Sequence, residues 1–547
     1  MHRRGLWAFA VAALAAVALT ATGSARIGAT GSSDAKTLVF AAEHGAGPDY
    51  CLNRILEVDC GDFWNGMFET PVIRGAFLFT PDFKYKPDLI SRYTLKLHPM
   101  RVTYFIRQKA RWSDGVPVTG KDWRFTWQTV MTPQYTHHIR EEVGWADISS
   151  VRGSGKIVTV TFKQDYAAWR ELFGYVLPEH ALEGTDLLTV WNDCICNPKR
   201  DNTPIGDGPF LLTRFDRSSG VTLKRNPRGW YGQPAKLDSI VFRFITNPNS
   251  EIQAIRSGEV DAAYPQPQAA LAGLRGQPGL RVVTHLGLIE EHIAIEAGPR
   301  GNPLAKQRWL RQALISSLNR QAVVKAVYGQ LNPHVKVLNS VSRLSNEPMY
   351  DPTHFNKWTY SVNRVNQMMK AHNCTKGDDG TYRCDGTKVS FELASTSDNP
   401  SRILAFTIMK DQAAKAGIEL RYGFLPASSF FAELDQDDYE LAMFGWSVSL
   451  DPNYVSIFFR CYEHGYNWLG YCNQRVTRLL LRSDRELNQR KRIALVNQAG
   501  AIIGNDVPLI PLFQKPTYLV YKTTVKGMVD NPSDGTPAFN AENWSKG

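Results

Sequence analysis

The sequence predicts an α/β fold of two or three compact parts, and three observations predict it. Strand-like and helix-like segments alternate along most of the chain. A chain of 547 residues is long enough to bury more than one core. Its 43% apolar and 21% charged residues are ordinary for a globular protein. No internal repeat and no low-complexity segment interrupts this pattern beyond the leader.

The elements follow in order. Met1-His2-Arg3-Arg4 is basic, Leu6–Leu19 is apolar and Ala-rich, and Gly23 and Ala25 are small residues at the positions a signal peptidase reads. Residues 1–25 therefore read as a secretory signal peptide, the apolar run being shorter than the roughly 20 residues of a membrane span. The first cysteine is Cys51, so no lipid-anchor site follows the run. After a Gly/Ser stretch, Thr37–Ala42 is a short apolar strand. Residues 102–107, 157–162, 221–225 and 239–244 continue the strand pattern. Ser113-Asp114-Gly115 is a tight-turn sequence, Thr119 to Asp122 can cap a helix near Trp123, and Gly258 can end one. Leu310 to Tyr328 reads as one amphipathic helix stopped by Gly329, Arg402 to Ala416 as a second closed by Gly417, and Arg490 to Ile503 as a third closed by Gly504.

Export agrees with the cysteines. Eight of them fall into close pairs: Cys51 with Cys60, Cys194 with Cys196, Cys374 with Cys384, and Cys461 with Cys472. An even number in a secreted chain reads as disulfides. Gly377-Asp-Asp-Gly380 is a turn that would bring Cys374 to Cys384. A Cys194–Cys196 bridge would be strained, so these two either pair elsewhere or form a reducible bond. No cysteine or histidine spacing fits zinc, and no metal or other cofactor is expected. Losing Arg3 and Arg4 with the leader lowers the net charge from +11 to +9, and no Lys/Arg block points to nucleic acid. A secreted hydrolase is the reading from another class. Its residues are missing: Gly445-Trp-Ser-Val-Ser449 puts Ser in the wrong place for GxSxG, no histidine pair fits HExxH, and Gly153-Ser-Gly-Lys156 reads as a strand turn rather than a phosphate loop.

Seven blocks carry a resemblance. Val102–Asp122 contains a strand and then Ser-Asp-Gly-Val-Pro-Val-Thr with a final Asp; Gly206-Asp-Gly-Pro-Phe210 is a turn. Lys224-Arg-Asn-Pro227 with Trp230 leads to Leu237–Phe244, and Ile255–Asp261 ends in Gly-Glu-Val-Asp. Arg311-Gln-Ala-Leu314 precedes Asn319-Arg320 and Tyr328-Gly329; Phe444-Gly-Trp446 precedes Asp451-Pro452; Val507–Leu512 closes the set. In this order they resemble the extracellular solute-binding family 5, which contains the peptide- and nickel-binding proteins of ABC importers. The resemblance covers nearly the whole mature chain.

That resemblance implies a type II periplasmic-binding-protein fold of two hinged lobes, with an extra subdomain in lobe I (cluster C). Lobe I is expected over 37–285 plus 506–547, its extra subdomain over about 75–200, and lobe II over 286–505. The crossings are expected near His285 to His292 and Asn505 to Leu512. It also implies an exported monomer that captures a peptide or peptide-like solute and hands it to the importer's permease subunits. A metal chelate, a sugar or an antibiotic-like molecule is the alternative cargo. Open α/β sheets bind ligands at strand ends, which selects Glu43, His44, Gly45 and Ala46 after the first strand, and Trp446, Ser447, Ser449 and Asp451 in lobe II. The bland readings are a solvated loop for Glu43 and His44, a core aromatic for Trp446 and a turn start for Asp451. Two departures from the family pattern matter. Ser449 stands where peptide binders place an Asp for the ligand amine, and Thr396 stands where dipeptide binders place an Arg for the ligand carboxylate. Neither can neutralise a buried charge, so a strict dipeptide binder is not expected, and Asp451 is the candidate substitute for the amine partner.

Overall fold

Thr37–Ala42 forms the strand that its apolar run predicts, and both of its edges are paired. Ser239–Phe244 runs parallel on one side and Ala262–Ala263 parallel on the other. A strand covered in this way buries both faces, and Leu38, Phe40, Ala41 and Ala42 are all fully buried. This computed structural model describes residues 36–43, 51–53, 63–136, 144–228, 230–461, 467–533 and 536–547. The leader, His44, Gly45, Ala46 and Cys60 lie outside them.

Among the described residues, two large sheets organise the chain. The first, in lobe I, has seven strands in the order Phe210–Asp216, Gly220–Arg225, Ser239–Phe244, Thr37–Ala42, Ala262–Ala263, Leu519–Lys522, Leu280–Val283. The second, in lobe II, has five in the order Glu419–Leu425, Ser390–Thr396, Leu441–Ser447, Leu286–Ile295, Leu509–Pro516. A separate four-stranded sheet is inserted after the first strand and is built from Ile90–Lys96, Arg101–Ile106, Ile157–Phe162 and Ile148–Arg152. One hydrophobic cluster joins Phe40, Trp64 and Phe242 to Trp123 and Trp169 of that insertion. Another fills lobe II around Leu310, Leu393, Phe444 and Val496 and continues through the junction to Ala41, Ile255 and Leu271 of lobe I. No helix among the described residues is long and apolar enough to cross a membrane.

The chain passes between the large sheets at two places that touch each other. One lies between Leu280–Val283 and Leu286–Ile295, the other between Leu509–Pro516 and Leu519–Lys522. Thr517 N–H donates to the His285 carbonyl at 2.9 Å, and His285 N–H to Thr517 Oγ1 at 2.9 Å. Asp530 accepts from both side chains, with His285 Nδ1 at 2.7 Å. The second crossing therefore lies downstream of the expected Asn505–Leu512, because Leu509–Pro516 pairs with Leu286–Ile295 rather than with lobe I.

Local signals read from the sequence recur, with exceptions. Thr119 and Asp122 form a reciprocal cap for the helix Gly120–Val130, and Gly115, Gly258 and Gly417 take positive φ. The segment 310–328 is two helices, Arg308–Ser316 and Arg320–Tyr328. Ser317 Oγ turns back to the Leu314 carbonyl at 2.7 Å, and Asn319 caps the second helix through Ala322 N–H at 3.1 Å. Gly504 does not end its helix, which runs Gln489–Asp506. It is there for space: a Cβ on it would sit 2.1 Å from the His354 carbonyl oxygen. Cys374–Cys384 and Cys461–Cys472 are bonded, and so are Cys194 and Cys196 to each other, which settles the alternative left open for that pair. Cys51 is also disulfide-bonded.

Candidate ligand-binding site

Against the paired crossings, between the two lobes, lies a cleft of ≈ 540 Å³. Lobe I lines it with Glu43, Trp64, Tyr264 and Gln266, and the crossing strands with Leu288 and Lys515. Glu43 is carried here because it directly follows Thr37–Ala42. Its Oε2 accepts the Gln266 N–H at 2.8 Å. Behind it, burial and then the Glu43 charge push the Glu251 carboxyl well above the carboxylate range.

The charged groups at this junction come from three elements. Glu291, on Leu286–Ile295, pairs with Arg402 of helix Pro400–Lys415 at 2.6 and 3.3 Å. Lys515 Nζ lies 3.9 Å from the other side of that carboxylate and donates to Gln266 Oε1 at 2.7 Å. Burial would raise Glu291, but Arg402 and Lys515 outweigh it and hold this carboxyl below its ordinary value. Burial pushes Lys515 down to about 8. The same helix start spans the lobes, since Ser401 Oγ donates to the Pro267 carbonyl at 2.9 Å.

Structure places the sequence-selected residues as follows. Thr396 ends strand Ser390–Thr396, and its Oγ1 is 3.0 Å from Arg402 Nη1. A guanidinium therefore stands beside the position where the sequence offers only a hydroxyl. Trp446 is 4% exposed, stacked on Phe458 at 4.0 Å and tilted over His292 at 4.2 Å. It lies opposite Glu290 in the sheet, and both line an inner cavity of ≈ 240 Å³ with Arg343 and Tyr454. Ser447 is exposed at the strand end. Ser449 Oγ donates to the Asp451 carbonyl at 2.8 Å. Asp451 is held by Arg492 through both oxygens, with Nη1 to Oδ2 at 2.6 Å, and its Oδ1 also accepts the Asn453 N–H at 3.0 Å. Only Glu43 of the selected residues lines the larger cleft; His44 and Gly45 are outside the described residues.

Sequence reasoning passes over Glu291, Arg402 and Lys515. A signal for two of them exists: Glu290-Glu291-His292 and Gln514-Lys515 are polar interruptions of otherwise apolar strands. Such groups are costly to bury unless they have a partner or a task.

Comparison with known proteins bears on the whole chain. Residues 84–466 match the model of the bacterial extracellular solute-binding proteins, family 5. The oligopeptide-binding protein OppA of Bacillus subtilis is 25% identical over 446 residues, covering 78% of this chain and 79% of that one. Among solved structures, the periplasmic EDTA-binding protein EppA has a TM-score of 0.82 at 22% identity, covering 93% of this chain and 96% of that one. The oligopeptide-binding protein AppA from Bacillus subtilis, in complex with a nonapeptide, has a TM-score of 0.79 at 20% identity, with 93% and 99% covered. The architecture is the type II periplasmic-binding-protein fold. This chain belongs to the bacterial extracellular solute-binding proteins, family 5.

Proposed function

We propose that this protein captures a peptide or peptide-like solute between its lobes, outside the cytoplasmic membrane, and delivers it to the permease of an ABC importer. The observation that carries this reading is the cleft at the paired crossings, walled by both lobes and holding an acid, Glu43, and a base, Lys515, within apolar surroundings. A group bound there touches both lobes at once and stabilises their closed arrangement by its differential affinity for it. Opposite charges in one cleft suit a molecule with polar ends and an apolar body. OppA and AppA, by their names, bind oligopeptides. EppA, by its name, binds EDTA, so a related fold also serves a non-peptide solute.

The reading is tested by thermal unfolding with and without a casein digest. We expect the Tm to rise with peptide concentration while the peptide masses stay unchanged. Stabilisation at a hundredfold excess over Kd is about 2.7 kcal/mol. An unmoved Tm contradicts capture, and loss of the peptides with time identifies a hydrolase instead.

A further inference from the structure

Lys515 is a cation with fewer partners than its burial calls for. Its side chain is 6% exposed, and among the described residues its ammonium makes one hydrogen bond, to Gln266 Oε1. An ammonium carries three donors. Glu291, 3.9 Å away, is already bound by Arg402 through both oxygens. Glu291, Arg402 and Lys515 together carry one net positive charge, and the Glu43 carboxylate in the same cleft attracts it across space. Glu43 is the other charged side chain lining the cleft among the described residues, and its carboxylate accepts the Gln266 N–H. The charges of the cleft therefore balance, but the ammonium keeps donors with no hydrogen-bond partner among the described residues, and a ligand anion with spare lone pairs takes them. The remaining lining around this point includes Tyr264, Pro265 and Leu288, an apolar wall on which an uncharged body packs.

We propose that the cleft takes a carboxylate of the solute on the Lys515 ammonium, with Glu291 and Arg402 positioning that ammonium. The proposal rests on the reading of this cleft as the capture site and names what the cargo carries. A carboxylate can come from the C-terminus of a peptide or from a polycarboxylate chelator. Thr396 and Ser449 carry no charge, and the guanidinium beside Thr396 is held by Glu291, which leaves the Lys515 ammonium as the cation lining the cleft among the described residues.

The test uses the full chain, stripped of carried solute by unfolding and refolding with its disulfides intact. Random tetrapeptides with free C-termini, the same library as C-terminal amides, and EDTA are offered separately, and retained masses are counted. Wild type is expected to retain free acids at least about tenfold over amides, the loss of one charge-assisted contact. K515M is expected to lose that preference, and K515R, which keeps the charge, to recover part of it. Retention of acids and amides alike by wild type overturns the carboxylate anchor and leaves peptide capture standing. A preference that survives in K515M overturns the assignment to Lys515. EDTA held in a Lys515-dependent way, with neither library retained, supports the anchor and overturns the peptide reading. No retention of any of the three by wild type overturns both. If K515M does not fold, the acid-to-amide ratio of wild type against K515R decides.

Discussion

Asp451 is the acid that the sequence offers as a substitute amine partner, yet Arg492 grips both of its oxygens. The two side chains are 11% and 6% exposed, so the pair is shielded from solvent. Removing one partner of such a pair leaves the other buried and unmatched, which costs roughly 3–5 kcal/mol. We therefore expect Asp451→Asn to lower unfolding stability by an amount near that range in urea titrations. Combining it with Arg492→Met should recover part of the loss. Solute affinity of the folded D451N protein should change by less than about threefold, below 1 kcal/mol. A tenfold loss of affinity with stability intact would make Asp451 the amine partner after all. Trp446 raises the same question: its stacking on Phe458 and its tilted contact with His292 make it a wall of lobe II first. The sequence offers both readings for each residue, because a Gly-Trp followed by Asp-Pro has no local mark that says whether its side chains turn inward.

At the scale of elements, the contact between the lobe I insertion and lobe II is built from acids. Asn453 Nδ2 donates to Tyr166 Oη at 3.2 Å, and Ala167 N–H to the Asp484 carbonyl at 2.7 Å. Glu171 accepts from Tyr85 Oη and from the Asp451 backbone, with Asp451 and Arg492 as its charged neighbours. Burial and then the Asp451 charge push Glu171 up to about 8, and burial pushes Asp484 up to about 6. Both folded values lie above the ordinary carboxylate range. Their stabilising contribution is thus complete in acid and is lost as pH rises, through about 6 for Asp484 and about 8 for Glu171. We expect the Tm to fall between pH 5 and pH 8.5, and Glu171→Gln to flatten the part of that fall above pH 6. An identical pH profile in E171Q would remove Glu171 from the account. Elements themselves were legible where periodicity and caps agree, as at Gly120–Val130 and Pro400–Lys415. They were not where a side chain overrides periodicity: Ser317 and Asn319 divide one apolar stripe into two helices, and Gly504 reads as a stop although it is a point of close packing.

For the whole molecule, the division into lobes follows from which strands pair. The order of the family blocks announces two lobes and a hinge, but the partner of Leu509–Pro516 is chosen by contacts 232 residues apart, such as His285 with Thr517. Gln514-Lys515 marks a polar break in an apolar strand, but nothing near it names the cleft that this strand end reaches. Glu43 was legible because a loop after the first parallel strand is a general ligand position. Lys515, Glu291 and Arg402 were not, because they meet only once three distant segments have folded. Solute capture is a property of this assembled scale, so it is best tested on the intact chain. The most direct measurement is native mass spectrometry of protein purified without unfolding, with the released solute weighed and fragmented. The account predicts one added mass per chain that fragments as a peptide or peptide-like acid and is displaced by added peptide. A bound sugar or a neutral molecule lacking any carboxylate, indifferent to added peptide, would contradict it.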